Sequence, residues 1–408
     1  MKYVILLGDG MADEPLEELG GKTPLEQART PHMDELAGQG TLGLIDTIPE
    51  GFAPGSDVAN LSVLGYDPRA FFTGRGPLEA ASMGVSLGPE DIAFRCNLVT
   101  LDGGFDGVME NFNAGHISSS EGAEIMESLN EALGSPEVRF FPGVGYRHLL
   151  VFRGSDFDLE TTPPHDIVGQ KVRTHLPRGT GSERVLSLMK ASLDILNNQE
   201  VNRIRREQGK LTANAIWPWG QGKAPRMRPL TERFDLRGGV ISAVDLLRGI
   251  GVYAGLENIP VEGATGYTDT NYLGKAEKAL AFLKDHDLVF VHVEAPDEKG
   301  HEGDVWGKIA AIEDFDEKIV GTVFRGLKSL GAFRILVLSD HPTPIRLKTH
   351  VADPSPFALY SSERGENLPR GVSFSEKNAR EGGIVVTPGC LLMEHFIGDW
   401  RRYIEGSH

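Results

Sequence analysis

Hydrophobic positions along the chain fall into two alternating patterns. Lys2–Leu7, Leu288–Val293 and Arg334–Leu338 are short apolar runs of strand length, rich in β-branched residues and leucine. Thr30–Gly40, Ala276–Lys284 and Lys308–Leu330 instead repeat their apolar positions with a helical period. Thr30 is expected to cap the first of these helices, with Pro31 in its first turn and Gly38 and Gly40 near its end. Strands alternating with helices predict an α/β fold, a parallel sheet with helices on both faces.

The middle of the chain reads differently. Phe94–Leu101 and Arg147–Phe152 are alternating strand patterns, Ser120–Leu133 and Ser182–Gln208 are helical, and prolines mark turns at Thr161–Pro164. The expected organisation is therefore a catalytic core over residues 1–92 and 212–408, with a smaller α+β domain inserted over 93–211. Glycines and prolines are dispersed and no repeat period is present, so the breaks read as turns rather than linkers.

Composition narrows the function classes. The 408 residues are 40% apolar and 24% charged, the balance of a globular chain able to bury a large core. There are 41 basic and 58 acidic residues, a formal charge of −17, which disfavours nucleic acid or an anionic membrane as partner. Cys96 and Cys390 lie far apart and form no CxxC or Cys/His pattern, which argues against a zinc finger or disulfide scaffold and for a reducing compartment, the cytoplasm. The opening apolar run is too short to span a membrane and has no cleavage site after it, so it reads as a strand.

The chemistry concentrates where the three apolar runs end. Lys2–Leu7 leads into Asp9, Leu288–Val293 into Asp297 and His301, and Arg334–Ser339 into Asp340 and His341, with His350 nine residues further on. In an open parallel sheet the ligand crevice lies beyond the carboxyl ends of the strands. Carboxylates and imidazoles delivered there describe a metal site of zinc or manganese character, and six such groups suffice for two ions that clamp a phosphoryl group. Taken singly each member has an ordinary structural reading, since Asp9 in Gly-Asp-Gly is equally a turn residue. Likewise Gly55–Leu61 reads as a helix start capped by Ser56 or Asp57, or as a nucleophilic serine at a helix N-terminus, where backbone N–H groups favour phosphate.

In that order these residues resemble the alkaline phosphatase superfamily. More narrowly, GDGMADEPLEELGGKTPLEQARTPHMDELA, PGSDVANLSVLGYDP, GRGPLEAASMG and SDHPTP with THVADPSPF resemble the archaeal-type, cofactor-independent phosphoglycerate mutases over most of the chain. The resemblance implies an alkaline-phosphatase-like core and a transiently phosphorylated Ser56. It implies one metal held by Asp9, Ser56, Asp340 and His341, and another by Asp297, His301 and His350. Manganese is the expected metal, with zinc, cobalt or magnesium as alternatives, and 2,3-bisphosphoglycerate is not needed.

By the same resemblance the inserted domain binds a small phosphorylated substrate and closes over the metals. Candidates for its carboxylate and phosphate are Arg75, Arg95, Arg147, His148, His165, Asp166 and Lys223, with Gln221 nearby, and His165-Asp166 would also relay a proton. Ile216-Trp-Pro-Trp-Gly, Gly239-Val-Ile-Ser-Ala-Val-Asp245 and Thr270-Asn271-Tyr272 resemble a bacterial branch proposed to act as homoserine kinase. That second reading requires an anionic partner for an ammonium group, Asp166 or Glu79. Against it, Gly21-Lys22-Thr23 lacks the first glycine of a P-loop, Leu16 standing in its place. A sulfatase is disfavoured, because no Cys or Ser begins a Cys/Ser-x-Pro-x-Arg motif.

Overall fold

A computed structural model describes residues 1–363, 371–398 and 400. By its internal contacts the chain forms two compact units, Met1–Phe72 with Arg226–His408, and Thr73–Pro225. The inserted unit thus begins before and ends after the 93–211 segment expected from sequence, because helix Arg75–Ser82 and strand Ala215–Lys223 pack on strand Ile92–Asp102.

The first unit is built on an eight-stranded sheet. Its order is Glu257–Asn258, Gly238–Ile241, Leu288–Val293, Lys2–Gly8, Phe333–Leu338, Ser355–Ser361, Thr41–Ile45 and Val385–Val386. The first five strands are mutually parallel, whereas Ser355–Ser361 runs against both of its neighbours. The sheet is therefore mixed rather than wholly parallel. The strand Ser355–Ser361 holds its apolar residues, Phe357–Tyr360, in a run of only four, and no local signal gives its direction.

The three apolar runs read from sequence become adjacent central strands, with Lys2–Gly8 between the other two. Every residue of Leu288–Val293 is buried, as a strand covered on both faces requires. Val4, Leu6, Val289, Val291, Ile335 and Val337 pack in one core with Met33, Leu36, Ala276, Ile312, Ile319 and Val323 from the covering helices. Register places Leu7 opposite both His292 and Leu338, so the residues after these strands emerge at one edge.

The expected helix over Lys308–Leu330 is continuous but not uniform. Val305–Asp314 passes into a π-helical segment, Phe315–Gly321, and resumes as Thr322–Leu327. Asp316 sits in the wide turn and accepts the backbone N–H groups of Met33 at 2.7 Å and His32 at 3.2 Å. The helix Pro31–Gln39 is thereby capped from a distant segment, whereas the hydroxyl of Thr30, the expected cap, makes no capping bond. Sequence spacing cannot anticipate a cap supplied across the fold.

The second unit contains a five-stranded sheet. Ile92–Asp102 pairs antiparallel with Val108–Asn111, Arg147–Phe152 and Ala215–Lys223, and Val138–Phe141 completes it. Phe94, Leu98, Leu150, Ile125, Met189 and Trp217 form its core. The expected 182–208 helix is two helices, Ser182–Asn197 and Glu200–Glu207, with the Gln199 side chain accepting the Glu200 N–H at the break. Among the described residues no helix is long and apolar enough to cross a membrane.

Burial pushes the Asp316 carboxyl up to about 6, against the two amides that favour its charged form. A carboxylate whose folded value is raised costs stability above its unfolded value near 4, and the cost grows as pH rises to 6. Asp316→Asn keeps an acceptor for the helix without that cost. Its melting temperature relative to the parent is expected to rise between pH 4 and pH 7 in paired thermal scans; a constant difference would refute the assignment.

Candidate active site

The cluster is assembled from the loops that follow the three central strands. Asp9 leaves Lys2–Gly8 with its N–H bonded to Val293 O at 2.9 Å, and its side chain is wholly enclosed. Gly10 then turns in the left-handed region, φ 59°, where a Cβ would collide with Asp297 Oδ1 and Thr343 Oγ1. Only glycine allows the Asp9 loop to approach the other two so closely. Asp340 Oδ1 accepts from Gly10 N–H at 3.2 Å and His341 N–H at 2.9 Å, which locks the first loop to the third.

Ser56 begins the helix Ser56–Val63, whose N-cap is Gly55, and it is the Asp57 carboxylate that accepts a first-turn N–H, that of Val58 at 3.0 Å. The serine hydroxyl is therefore not used as a cap. It lies 3.2 Å from His341 Nε2. One turn along, Asn60 Nδ2 donates to Ser56 O and to Asp340 Oδ2, each at 2.9 Å, which holds this helix end against the third strand. The N-terminus of the helix presents a partial positive charge beside the hydroxyl.

Asp297 and His301 occupy successive turns of Ala295–Glu302 and face one another, Oδ2 to Nε2 at 3.2 Å. His350 Nε2 lies 3.4 Å from Asp297 Oδ1 and 2.9 Å from His301 Nε2. His301 Nδ1 donates to Lys348 O at 3.0 Å, so in the neutral ring the Nε2 lone pair points into the cluster. A similar argument fixes His341. The Thr343 hydroxyl donates to Asp297, a carboxylate able only to accept, and so its oxygen accepts from His341 Nδ1 at 3.3 Å. His341 Nε2 is then left as an acceptor, 3.4 Å from Asp9 Oδ1 and 3.5 Å from Asp340 Oδ2.

Three sets of side chains place ligand atoms within 4.8 Å of one another: Asp9, Asp340 and His341; Asp297, His301 and His350; and Asp9, His292 and Glu294. Burial, and the neighbouring Asp340, Glu294 and Asp297, hold the Asp9 carboxyl well above its ordinary range. Burial and Asp297 do the same to Glu294. Asp297 is also buried, yet hydrogen bonds from His301 and His350 hold it well below that range, and the bond to Asp297 pushes His301 up to about 9. Asp9 Oδ1 has no hydrogen-bond partner although it is buried. Enclosed carboxylates with a bare oxygen and converging imidazole lone pairs fit divalent cations, because a buried anion otherwise lacks compensation.

In the second unit the predicted anion-binding residues gather around Trp219. The guanidinium carbons of Arg95 and Arg75 lie 4.9 Å and 5.8 Å from its ring centre, and the His165 ring 5.4 Å. Arg95 is paired with Glu79 at 2.8 Å, and its Nε is buried without a partner. Burial lowers His165, with Arg75 and Arg95 contributing in the same direction. Asp166 lies 3.6 Å from His165, and Arg147 is exposed over the Tyr146 ring. Lys223 is bonded to Glu90 at 2.7 Å and Gln221 to Thr161 at 2.6 Å. His148 is enclosed, 1% exposed, with Nδ1 accepting from Gly143 N–H, so it belongs to this unit's interior.

Residues 37–202 match the model of the 2,3-bisphosphoglycerate-independent phosphoglycerate mutases. A Geobacter sulfurreducens protein described as a probable mutase of this kind is 57% identical over 398 residues, 97% of this chain and 99% of its own. The chain belongs to this family. A Methanosarcina barkeri member is 52% identical over 386 residues, 94% of this chain and 96% of that one. Among solved structures, a Pyrococcus horikoshii protein superposes with TM-score 0.81 at 29% identity, covering 97% of each chain. The cofactor-independent phosphoglycerate mutase of Thermoplasma acidophilum does so with TM-score 0.66 at 27% identity, covering 98% of this chain and all of that one.

Within this family member, sequence reasoning brought together the six strand-end residues and Ser56, and the structure adds His292, Glu294, Thr343 and Asn60 around them. His292 was hidden inside an apolar run, and Glu294 stands directly after it, the one added residue whose position carried a signal. Thr343 and Asn60 have no sequence pattern that separates them from ordinary loop and helix residues. The Thr343 bonds predict that, at neutral pH, nitrogen-15 imidazole spectra show His341 as the Nδ1–H tautomer. Thr343→Val should convert it to a mixture, and an Nε2–H signal in the parent would contradict the proton inventory.

Proposed function

We propose that this chain interconverts 2-phosphoglycerate and 3-phosphoglycerate through a phosphoserine at Ser56, without 2,3-bisphosphoglycerate. The observation that carries the reading is the Ser56 hydroxyl, not used as a cap at a helix N-terminus and 3.2 Å from His341 Nε2 inside the carboxylate and imidazole cluster. The names of the relatives support it.

In this reading Asp9, Ser56, Asp340 and His341 would hold one divalent ion, and Asp297, His301 and His350 another, manganese being the proposed metal and zinc, cobalt or magnesium its substitutes. Bound there, such ions supply a lowered hydroxyl pKa at Ser56 and neutralise phosphate charge. Asn60 and Asp340 fix the serine, and the helix N-terminus receives the phosphate oxygens. Ser56 Oγ forms a bond to phosphorus as the bond from phosphorus to the glycerate oxygen breaks. The glycerate then presents its other hydroxyl, which takes the phosphate back and restores the serine. Water must be kept from the phosphoserine, since it would divert the reaction to hydrolysis.

Arg75, Arg95, Arg147 and His165 are assigned to the anionic groups of the substrate, with His165-Asp166 as proton relay. The unpartnered Arg95 Nε supports this, because a buried guanidinium donor without a partner fits a carboxylate or phosphate. His148 and Lys223 are left out of that set, the first enclosed and the second engaged by Glu90. No observation favours phosphoryl transfer to homoserine, and Glu79, a proposed partner for its ammonium group, is already paired with Arg95. The acidic balance and two unpaired cysteines support a cytoplasmic location.

Phosphorus NMR on manganese-loaded protein tests the reading. It should show 3-phosphoglycerate turning into 2-phosphoglycerate, a rate reduced roughly 10³-fold or more by Ser56→Ala, and recovery by added manganese after chelation. Phosphohomoserine from homoserine and ATP, without isomerisation, would sink the proposal. Arg75→Ala should raise KM for phosphoglycerate about 10–100-fold, the value of a hydrogen bond to a charged group, measured by steady-state kinetics.

A further inference from the structure

The strand Leu288–Val293 carries one polar side chain in its interior. His292 is fully buried, and both ring nitrogens are engaged. Nε2 lies 2.7 Å from Asp9 Oδ2 and Nδ1 lies 3.1 Å from Ser242 Oγ. Its carbonyl accepts from the buried Lys275 Nζ at 2.9 Å. Ser242 directly follows Gly238–Ile241, whose register sets Ile241 beside Val291, so the serine and the histidine are neighbours on adjacent parallel strands. Ser242 Oγ also accepts the Val244 N–H at 3.0 Å.

The proton inventory has one consistent solution when Asp9 is ionised. A carboxylate has no proton to give, so Nε2 must carry the hydrogen toward Asp9. Nδ1 is then an acceptor, and the Ser242 hydroxyl donates to it while its oxygen receives the Val244 amide. The chain of donors runs from a backbone N–H through serine and histidine to Asp9 Oδ2. Asp9 Oδ1 is left without a protein partner, beside His341 and Asp340.

His292, Asp9 and Glu294 also form one of the three sets with ligand-like spacing. A ligating imidazole must turn a lone pair to the ion: His301 and His341 carry their hydrogen on Nδ1 and turn Nε2 to the cluster, whereas His292 Nε2 carries its hydrogen toward Asp9 and its lone pair, on Nδ1, accepts from Ser242. We propose that Ser242 and His292 are positioning residues that orient Asp9 and fix which of its oxygens faces the cluster, and that His292 is not itself a metal ligand. The inference rests on the divalent-ion reading above for what Asp9 Oδ1 meets, and the tautomer it requires is the one that belongs to ionised Asp9. It also gives a purpose to the segment Gly239–Asp245, which the mutase reading otherwise leaves unused.

Two measurements on the full chain test this. In nitrogen-15 imidazole spectra of the protein loaded with magnesium or zinc, diamagnetic ions that keep Asp9 ionised, His292 should appear as the Nε2–H tautomer, becoming a mixture in Ser242→Ala and returning in Ser242→Thr. An Nδ1–H tautomer in the loaded parent would overturn the proposal. In calorimetric titrations with manganese, Ser242→Ala should weaken one class of site about 10–100-fold at unchanged stoichiometry, the usual effect of removing a partner behind a ligand. Ser242→Thr and His292→Gln, which keep the donors, should lie closer to the parent, with melting temperatures of the stripped proteins confirming that all are folded. Parent affinity in Ser242→Ala, or an equivalent of manganese lost in His292→Gln, would overturn the positioning role alone. A parent that binds no manganese would remove the divalent-ion reading and the affinity part of this one together.

Discussion

The structure depends on keeping four carboxylates, Asp9, Glu294, Asp297 and Asp340, enclosed at one edge of a sheet. Each sits at or just after the end of one of three adjacent strands, and burial, followed by the charge of the neighbouring carboxylates, holds Asp9 and Glu294 above the ordinary range. Such an arrangement is unfavourable unless charge and hydrogen bonds compensate it. The compensation visible in the chain is specific: imidazoles on Asp9 and Asp297, Asn60 and two backbone amides on Asp340, and the buried Lys275 behind His292. What remains uncompensated, Asp9 Oδ1 above all, is where a cation belongs.

Rigidity of the surroundings makes this possible. The central strands are buried on both faces and locked in parallel register, so their ends cannot drift apart to relieve the repulsion. A second buried pair braces the first loop from the other side. Lys308 Nζ, wholly enclosed, donates to Asp13 Oδ2 at 2.7 Å and to the carbonyls of Ala12 and Thr343. It ties the segment after Asp9 to the segment after His341. Asp13 in turn accepts Ile345 N–H, and its own N–H donates to Glu376. Removing one member of such a buried set leaves another charge unpaired, which ties the placement of the cluster to the stability of the fold.

The two units divide the chemistry by kind. In the first, oxygen and nitrogen ligands converge with a helix N-terminus and a hydroxyl, the requirements of phosphoryl transfer. In the second, the guanidinium groups of Arg75 and Arg95 lie near the Trp219 ring, which supports planar cations. Arg95 shows the balance best: Glu79 satisfies one part of it and leaves Nε bare.

Legible in the sequence were the central strands, several of the longer helices, and the acids and histidines that follow those strands, though not the helix Ala295–Glu302 on which Asp297 and His301 sit. These signals are local: apolar periodicity, and residue type at a strand end. It also marked Ser56, though not whether its hydroxyl was a cap. Packing settled the rest: Gly55 takes the cap position and frees the serine, Asp316 caps a helix 283 residues away, and a strand runs against the sheet at Ser355–Ser361. It alone placed His148 in an interior, joined Ser242 to His292, and set Thr343 between two of the ligand sets. Each of these is a hydrogen bond or contact between segments distant in the chain. Such partners share no period or spacing along the sequence, and only the packed sheet brings them within reach.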